Sequence, residues 1–159
     1  MTSRLACLVI AFAVGTAVFA GDEKALVGSY RLTSRAGTSG QKLAPPEVIG
    51  FMTFTKTHRT VIMKWQSAAG EPVSIAFIGT YTLAGGKYCE SAVYGVNSNL
   101  GAPGVTYDEP SKEPACTAVT SEGSTISFDV PNEKLHLRIT GDGLTATTPR
   151  WTDTWTKVK

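Results

Sequence analysis

The chain has 159 residues, of which 42% are hydrophobic and 18% are charged, and its formal net charge at pH 7 is +2. A chain of this length forms one domain and can bury a substantial core. The weak charge and the lack of a basic stripe argue against nucleic acid as a partner.

Residues 1–20 are predicted to be a secretory signal peptide. Arg4 supplies a positive start, residues 5–19 form an apolar run without charge, and the chain turns polar directly after Ala20. The run is shorter than the roughly 20 residues that span a bilayer, which argues against a retained anchor. We therefore expect cleavage after Ala20, export to the periplasm or the extracellular space, and a single mature domain over residues 21–159, in which no further apolar run predicts a membrane span.

The cysteines predict one disulfide bond. Cys7 lies before the apolar run and is expected to leave with the signal peptide. Cys89 and Cys116 remain, and an even number of cysteines in an exported protein favours a disulfide between them. The alternative is a pair of free buried thiols.

Alternation of apolar and polar residues, which is typical of half-buried strands, recurs about every ten residues along the mature chain. Short turns such as Gly85-Gly86 separate the alternating segments, and no stretch shows helical periodicity. Eight to ten antiparallel strands joined to their neighbours predict an all-β, up-and-down barrel, with a sandwich as the alternative. The predicted strands cover residues 26–35, 48–56, 59–66, 73–83, 87–96, 116–121, 125–130, 135–140, 144–147 and 150–158.

Residues 97–114 interrupt this rhythm. They are rich in Gly, Pro, Asn and Ser and are predicted to form a long surface loop, bracketed by Cys89 and Cys116. Two interpretations stay open: the disulfide holds down a variable insertion, or the loop forms a lid over the mouth of the barrel.

Several motifs resemble those of bacterial lipocalin-like domains. The segment LVGSYRL at residues 26–32 is similar to the L-x-G-x-W-x-L opening of that family, with Tyr30 in place of Trp. GFMTFT at 50–55, FIGTYTL at 77–83 and WTKV at 155–158 resemble its second hairpin, its G-x-Y strand and its closing W-x-R-V. The resemblance implies a calycin-type barrel that often holds a small apolar ligand.

The resemblance also implies which side chains face inward. With Tyr30 inward, strand alternation places Leu32 inward and Arg31 outward. The repeated pattern places Tyr81 inward and Thr80 outward in the same way.

The candidate ligand-binding wall consists of Met63, Trp65, Tyr81 and Tyr94, and Glu90 is the candidate polar anchor. Alternation puts Glu90 and Tyr94 on one face of the segment 87–96 and Cys89 on the other, and either face can be the inner one. If Glu90 lies inside, it must be paired, hydrogen-bonded or protonated.

Asp153 is a second candidate, because it lies between Trp151 and Trp155 on one strand face. Arg35, Arg138 and Arg150 are its possible partners. The pattern is consistent with a structural salt bridge that closes the barrel, or with a binding site for a cation or a hydroxyl. Glu90 and Asp153 are also the candidates for a catalytic acid or base.

Neither a metal nor a cofactor is expected, because His58 and His136 occur in different contexts and no recognisable metal-binding spacing is present. The sequence thus favours a barrel that binds a small apolar or amphipathic ligand. The alternatives are a small cyclase, isomerase or hydratase with an internal carboxylate, and an inhibitor or interaction protein that works through residues 97–114.

Overall fold

A computed structural model of the protein describes residues 26–159, so the predicted signal peptide and Cys7 lie outside the described residues. The described chain is built from antiparallel strands. No helix within it has the length and apolarity needed to cross a membrane. The strands are β1 (Gly28–Gly37), β2 (Lys42–Leu43), β3 (Val48–Phe54), β4 (His58–Gln66), β5 (Pro72–Ala84), β6 (Lys87–Ser98), β7 (Val105–Asp108), β8 (Ala115–Glu122), β9 (Thr125–Asp129), β10 (His136–Ile139), β11 (Gly143–Thr147) and β12 (Trp151–Lys157).

Ten of these strands form a closed ring. The order runs β1, β3, β4, β5, β6, β8, β9, β10, β11, β12, and β12 pairs back with β1 from Tyr30 to Gly37. The short strands β2 and β7 add to β1 and β6 outside this ring. The predicted all-β, up-and-down barrel is therefore confirmed.

One half of the barrel is filled by aromatic side chains. Tyr30, Phe54, Tyr81, Tyr88 and Phe128 are all buried. Tyr30 and Phe54 meet edge to face, and the Tyr88 and Phe128 rings stack with centroids 4.2 Å apart. The inward positions predicted for Tyr30 and Tyr81 are confirmed. This packed half lies near the β3–β4 and β5–β6 turns.

A β-bulge in β1 turns Arg35 into the barrel. Leu32 pairs with Trp155 and Ser34 pairs with Thr154, so Thr33 is an extra residue in β1. Such an insertion reverses the alternation of faces beyond it. Arg35, which simple alternation from Leu32 places outside, is consequently only 6% exposed.

A second β-bulge, in β6, reverses which of its side chains face inward. Ile78 pairs with Tyr94 and Gly79 pairs with Ala92, which leaves Val93 without a partner on β5. Glu90 lies inside, whereas Tyr94 is 49% exposed. The prediction that Tyr94 lies on the same face as Glu90 is wrong, because Val93 breaks the alternation between them.

The predicted disulfide is present. Cys89 and Cys116 are directly opposite on β6 and β8, with Cα atoms 4.0 Å apart. Since β8 pairs with β6 only over residues 87–90, the distal part of β6 has an open edge.

The strand β7 occupies this open edge by pairing with β6 over Gly95 to Ser98. The prediction of a continuous loop over residues 97–114 is therefore wrong. β6 extends to Ser98, and the β-favouring residues of β7 form a strand where a partner edge is free.

We expect the Cys89→Ser/Cys116→Ser double variant to lose about 3 to 4 kcal/mol of unfolding free energy, because the bond restricts the unfolded chain over a separation of 27 residues. Denaturant unfolding measures the loss. A reducing agent should destabilise the wild type by a similar amount and leave the double variant unchanged. Equal stability of wild type and double variant would contradict the prediction.

Stability should also fall at alkaline pH through Tyr30, because burial raises the pKa of its hydroxyl to about 12. The Tyr30 hydroxyl keeps its proton to a higher pH in the folded state than in the unfolded state. Its contribution to the unfolding free energy is therefore complete below the ordinary pKa of 10.0 and is lost as the pH rises towards 12. Urea unfolding at about pH 9 and about pH 11 should show a smaller loss for Tyr30→Phe than for wild type. An equal loss in Tyr30→Phe and wild type would refute this role.

Candidate functional site

The other half of the barrel is hollow. It contains a cavity of about 810 Å³, a volume within the range of small-molecule sites. All three tryptophans of the chain line it. Larger apolar side chains in the remaining walls are Met52, Val61, Met63, Ile75, Phe77, Leu100 and Leu135, and smaller ones include Ala92 and Ala146.

The cavity separates the candidate ligand-binding residues into two groups. Met63, Trp65 and Glu90 line it. Tyr81 lies in the packed half, where it is 4% exposed, and Tyr94 lies on the outer surface with its ring 6.4 Å from that of Tyr107. The structure thus brings three of the five together.

Glu90 is paired inside the barrel with Arg59, which comes from β4. The Arg59 Nε donates to Glu90 Oε1 at 2.8 Å, and Nη2 donates to Oε2 at 3.1 Å. Arg59 is 2% exposed, and its guanidinium lies 4.6 Å from the centre of the Phe77 ring. Arg59 is not among the site residues predicted from the sequence, although alternation places it on the same face as Val61.

A third group joins this pair from the turn between β9 and β10. The Arg59 Nη2 also donates to Glu133 Oε1 at 2.7 Å. Burial disfavours the charge of Arg59, but the carboxylates of Glu133 and Glu90 outweigh burial and raise the pKa of the guanidinium. Burial also raises the pKa of Glu90, although Arg59 opposes this change. Arg59 therefore remains a permanent cation inside the barrel.

Asp153 forms the second buried pair, with Arg35. Arg35 Nε and Nη2 donate to the two carboxylate oxygens at 2.7 Å each. The guanidinium lies between Trp65 and Trp151, 4.5 and 4.6 Å from their ring centres. Arg35, Arg138 and Arg150 were the predicted partners of Asp153. Arg35 is the partner, because the bulge in β1 turns its side chain inward.

Two glycines provide the space for these side chains. A Cβ atom at Gly79 would lie 2.8 Å from Glu90 Oε1 and 2.9 Å from the Phe77 ring. At Gly50 it would lie 2.8 Å from the Trp155 ring. Any larger residue at either position forces the cavity lining to move.

The two pairs leave hydrogen-bond donors for a ligand. Within residues 26–159, every side-chain hydrogen bond of Arg35 and Arg59 comes from Nε or Nη2, so neither Nη1 has a protein acceptor. In contrast, both oxygens of Glu90 and of Asp153 accept from an arginine. The site can therefore donate to an acceptor group more readily than it can accept a proton.

The histidines lie apart from the cavity lining. His58 Nδ1 is 2.8 Å from Thr57 Oγ1, and His136 Nδ1 is 2.9 Å from Asp129 Oδ1. The described part of the chain holds no cluster of three or more His, Cys, Asp or Glu that could bind a metal ion.

Comparison with known proteins gives no match, whether to a protein-family model, to a curated protein or to a solved structure.

The Arg35–Asp153 pair yields a stability prediction. Asp153→Asn leaves the Arg35 charge buried without a counter-ion, which should lower the unfolding free energy by about 3 to 5 kcal/mol. The double variant Arg35→Met/Asp153→Leu removes both charges and should lose much less. Arg138→Met, at an exposed arginine on β10, should stay within about 0.5 kcal/mol of wild type. Denaturant midpoints compare the three variants, and wild-type stability of Asp153→Asn would exclude a structural role for the pair.

Proposed function

We propose that this protein binds one small amphipathic molecule in the hollow half of its barrel. The observation that carries the proposal is the cavity of about 810 Å³, in which apolar walls surround two buried ion pairs. The closed barrel is compatible with the calycin-type fold, and the resemblance of the sequence to lipocalin-like domains supports the same class of function.

The two kinds of lining have different roles in this proposal. Met63, Ile75 and Phe77 offer apolar surface to the body of the ligand, and each buried methylene contributes about 0.8 kcal/mol. Arg35 and Arg59 offer their Nη1 donors to its polar end. A ligand with a hydrocarbon body and one hydrogen-bond acceptor matches both kinds of lining.

The segment 97–114 belongs to the same binding site. Leu100, Asp108 and Ser111 contribute to the lining of the cavity. Ser111 is tied to β6 through its backbone N–H and its hydroxyl, which both bond to the backbone of Ala92. This contribution to the rim favours a binding role for the segment over an independent interaction loop.

The acid–base alternative receives less support from the geometry. Glu90 and Asp153 are both inside the barrel, and the pKa of Glu90 is raised by burial. Both carboxylates are nevertheless bound through both oxygens to an arginine. The adjacent guanidinium stabilises the charged form of each carboxylate and so disfavours its protonation by a substrate, which makes binding the better supported function.

We further infer that the protein works outside the reducing cytosol. The Cys89–Cys116 disulfide is typical of exported proteins. The predicted signal peptide over residues 1–20 leads to the same expectation.

Intrinsic tryptophan fluorescence tests the proposed function, since every tryptophan lines the cavity. Titration with 1-dodecanol should change the emission and saturate. Ala92→Phe, which adds a ring to the cavity lining, should weaken binding at least about tenfold, the equivalent of about 1.4 kcal/mol. Ala118→Phe makes the same change at an exposed position on β8 and should bind like wild type.

Two results would count against the proposal. Absence of a saturable change with 1-dodecanol, dodecanoate and dodecylamine would exclude a site for simple amphiphiles. Equal affinity of wild type and a folded Ala92→Phe variant would place the bound molecule outside the cavity.

A further inference from the structure

Arg59 is shared between two carboxylates that differ in burial. Glu90 holds it through both oxygens, and its side chain is 5% exposed. Glu133 contacts the same Nη2 at 2.7 Å, and its side chain is 41% exposed. The two carboxylates therefore differ in how readily they can leave the guanidinium.

Glu133 belongs to a short turn at the rim of the cavity. The turn is closed by the Val130 N–H bond to Leu135 O and by the Glu133 N–H bond to Val130 O. Asn132 occupies the left-handed region with a φ of 62°. Because the Glu133 side chain is already part-exposed, rotation about its own bonds can carry it into solvent without unfolding a strand.

Negative charge exceeds positive charge around Arg59, because two carboxylates contact one guanidinium. Coulomb repulsion from Glu133 contributes to the raised pKa of Glu90. Replacing Glu133 by the carboxylate of another molecule keeps this charge count unchanged. The exchange relocates Glu133 to water, where a carboxylate is well solvated.

The aromatic lining argues against a cationic ligand at this place. A bound cation is stabilised by an aromatic face. Three of the four aromatic side chains lining the cavity already have a guanidinium over a face: Phe77 has Arg59, and Trp65 and Trp151 share Arg35. The donors left over on Nη1 instead favour an acceptor.

We propose that the ligand is an amphipathic carboxylate whose head group binds Arg59 by displacing Glu133, so that Glu133 is a built-in competitor for the site. This inference rests on the proposed binding function and specifies its ligand class. The apolar chain of the ligand then lies along the walls formed by Met63, Ile75 and Phe77.

The experiment compares dodecanoate, 1-dodecanol and dodecylamine, each below its micelle concentration, by tryptophan fluorescence. Glu133→Gln removes the competing charge and should tighten dodecanoate binding by roughly tenfold, with 1-dodecanol changed less than about twofold. Glu122→Gln makes the same substitution at an exposed position on β8, near the packed half, and should alter neither affinity.

A second variant tests the partner of the head group. Arg59→Met/Glu90→Gln removes the buried pair and leaves only the part-exposed carboxylate of Glu133, which can turn into solvent; it should abolish the preference for dodecanoate over 1-dodecanol. If this variant does not fold, which circular dichroism shows, the Glu133→Gln comparison alone decides.

The outcomes separate this inference from the proposed function. Unchanged dodecanoate affinity in Glu133→Gln overturns the exchange at Arg59, while saturable binding of 1-dodecanol by wild type still supports the cavity. Tighter binding of dodecylamine than of dodecanoate, weakened by Glu133→Gln, assigns the site to cations and overturns the inference. Failure of all three probes in every variant overturns both proposals.

Discussion

The burial of two guanidinium groups inside a small barrel is the constraint on which the hollow half depends. An unpaired buried charge costs several kcal/mol, so each arginine needs a carboxylate at a fixed place. Arg35 and Asp153 join β1 to β12 across the closure of the ring, and Arg59 and Glu90 join β4 to β6. The guanidinium of Arg35 also lies over two aromatic rings, and that of Arg59 over one. The cavity walls are therefore held by polar pairs where a packed core would use apolar contact.

Much of this arrangement follows from local sequence patterns. The resemblance to lipocalin-like domains correctly implies that Tyr30 and Tyr81 lie inside, and Met63 and Trp65, which alternation puts on one face of β4, line the cavity. The pairing of Cys89 with Cys116 follows from the number of cysteines and the predicted export. These features depend on the period of a strand and on composition, both of which a single sequence displays.

The parts that could not be predicted depend on strand register. Nothing in the sequence around Thr33 and Val93 marks them as bulge residues. The bulges nevertheless turn Arg35 inward and Tyr94 outward. The pairing of Arg59 with Glu90 also arises between non-adjacent strands of the ring. Such contacts depend on how the whole barrel closes, and a short stretch of sequence does not contain this information.

The division into a solid half and a hollow half also affects how stability is distributed in the molecule. Cooperative protection comes from dense apolar contact, so the half with stacked Tyr88 and Phe128 supplies the most resistant part of the sheet. The hollow half borders a cavity of about 810 Å³ where the other half has packed side chains, so we expect it to open at a lower free energy. By the same argument, changes of length in the turns at its rim should cost less unfolding free energy than equivalent changes in the packed half.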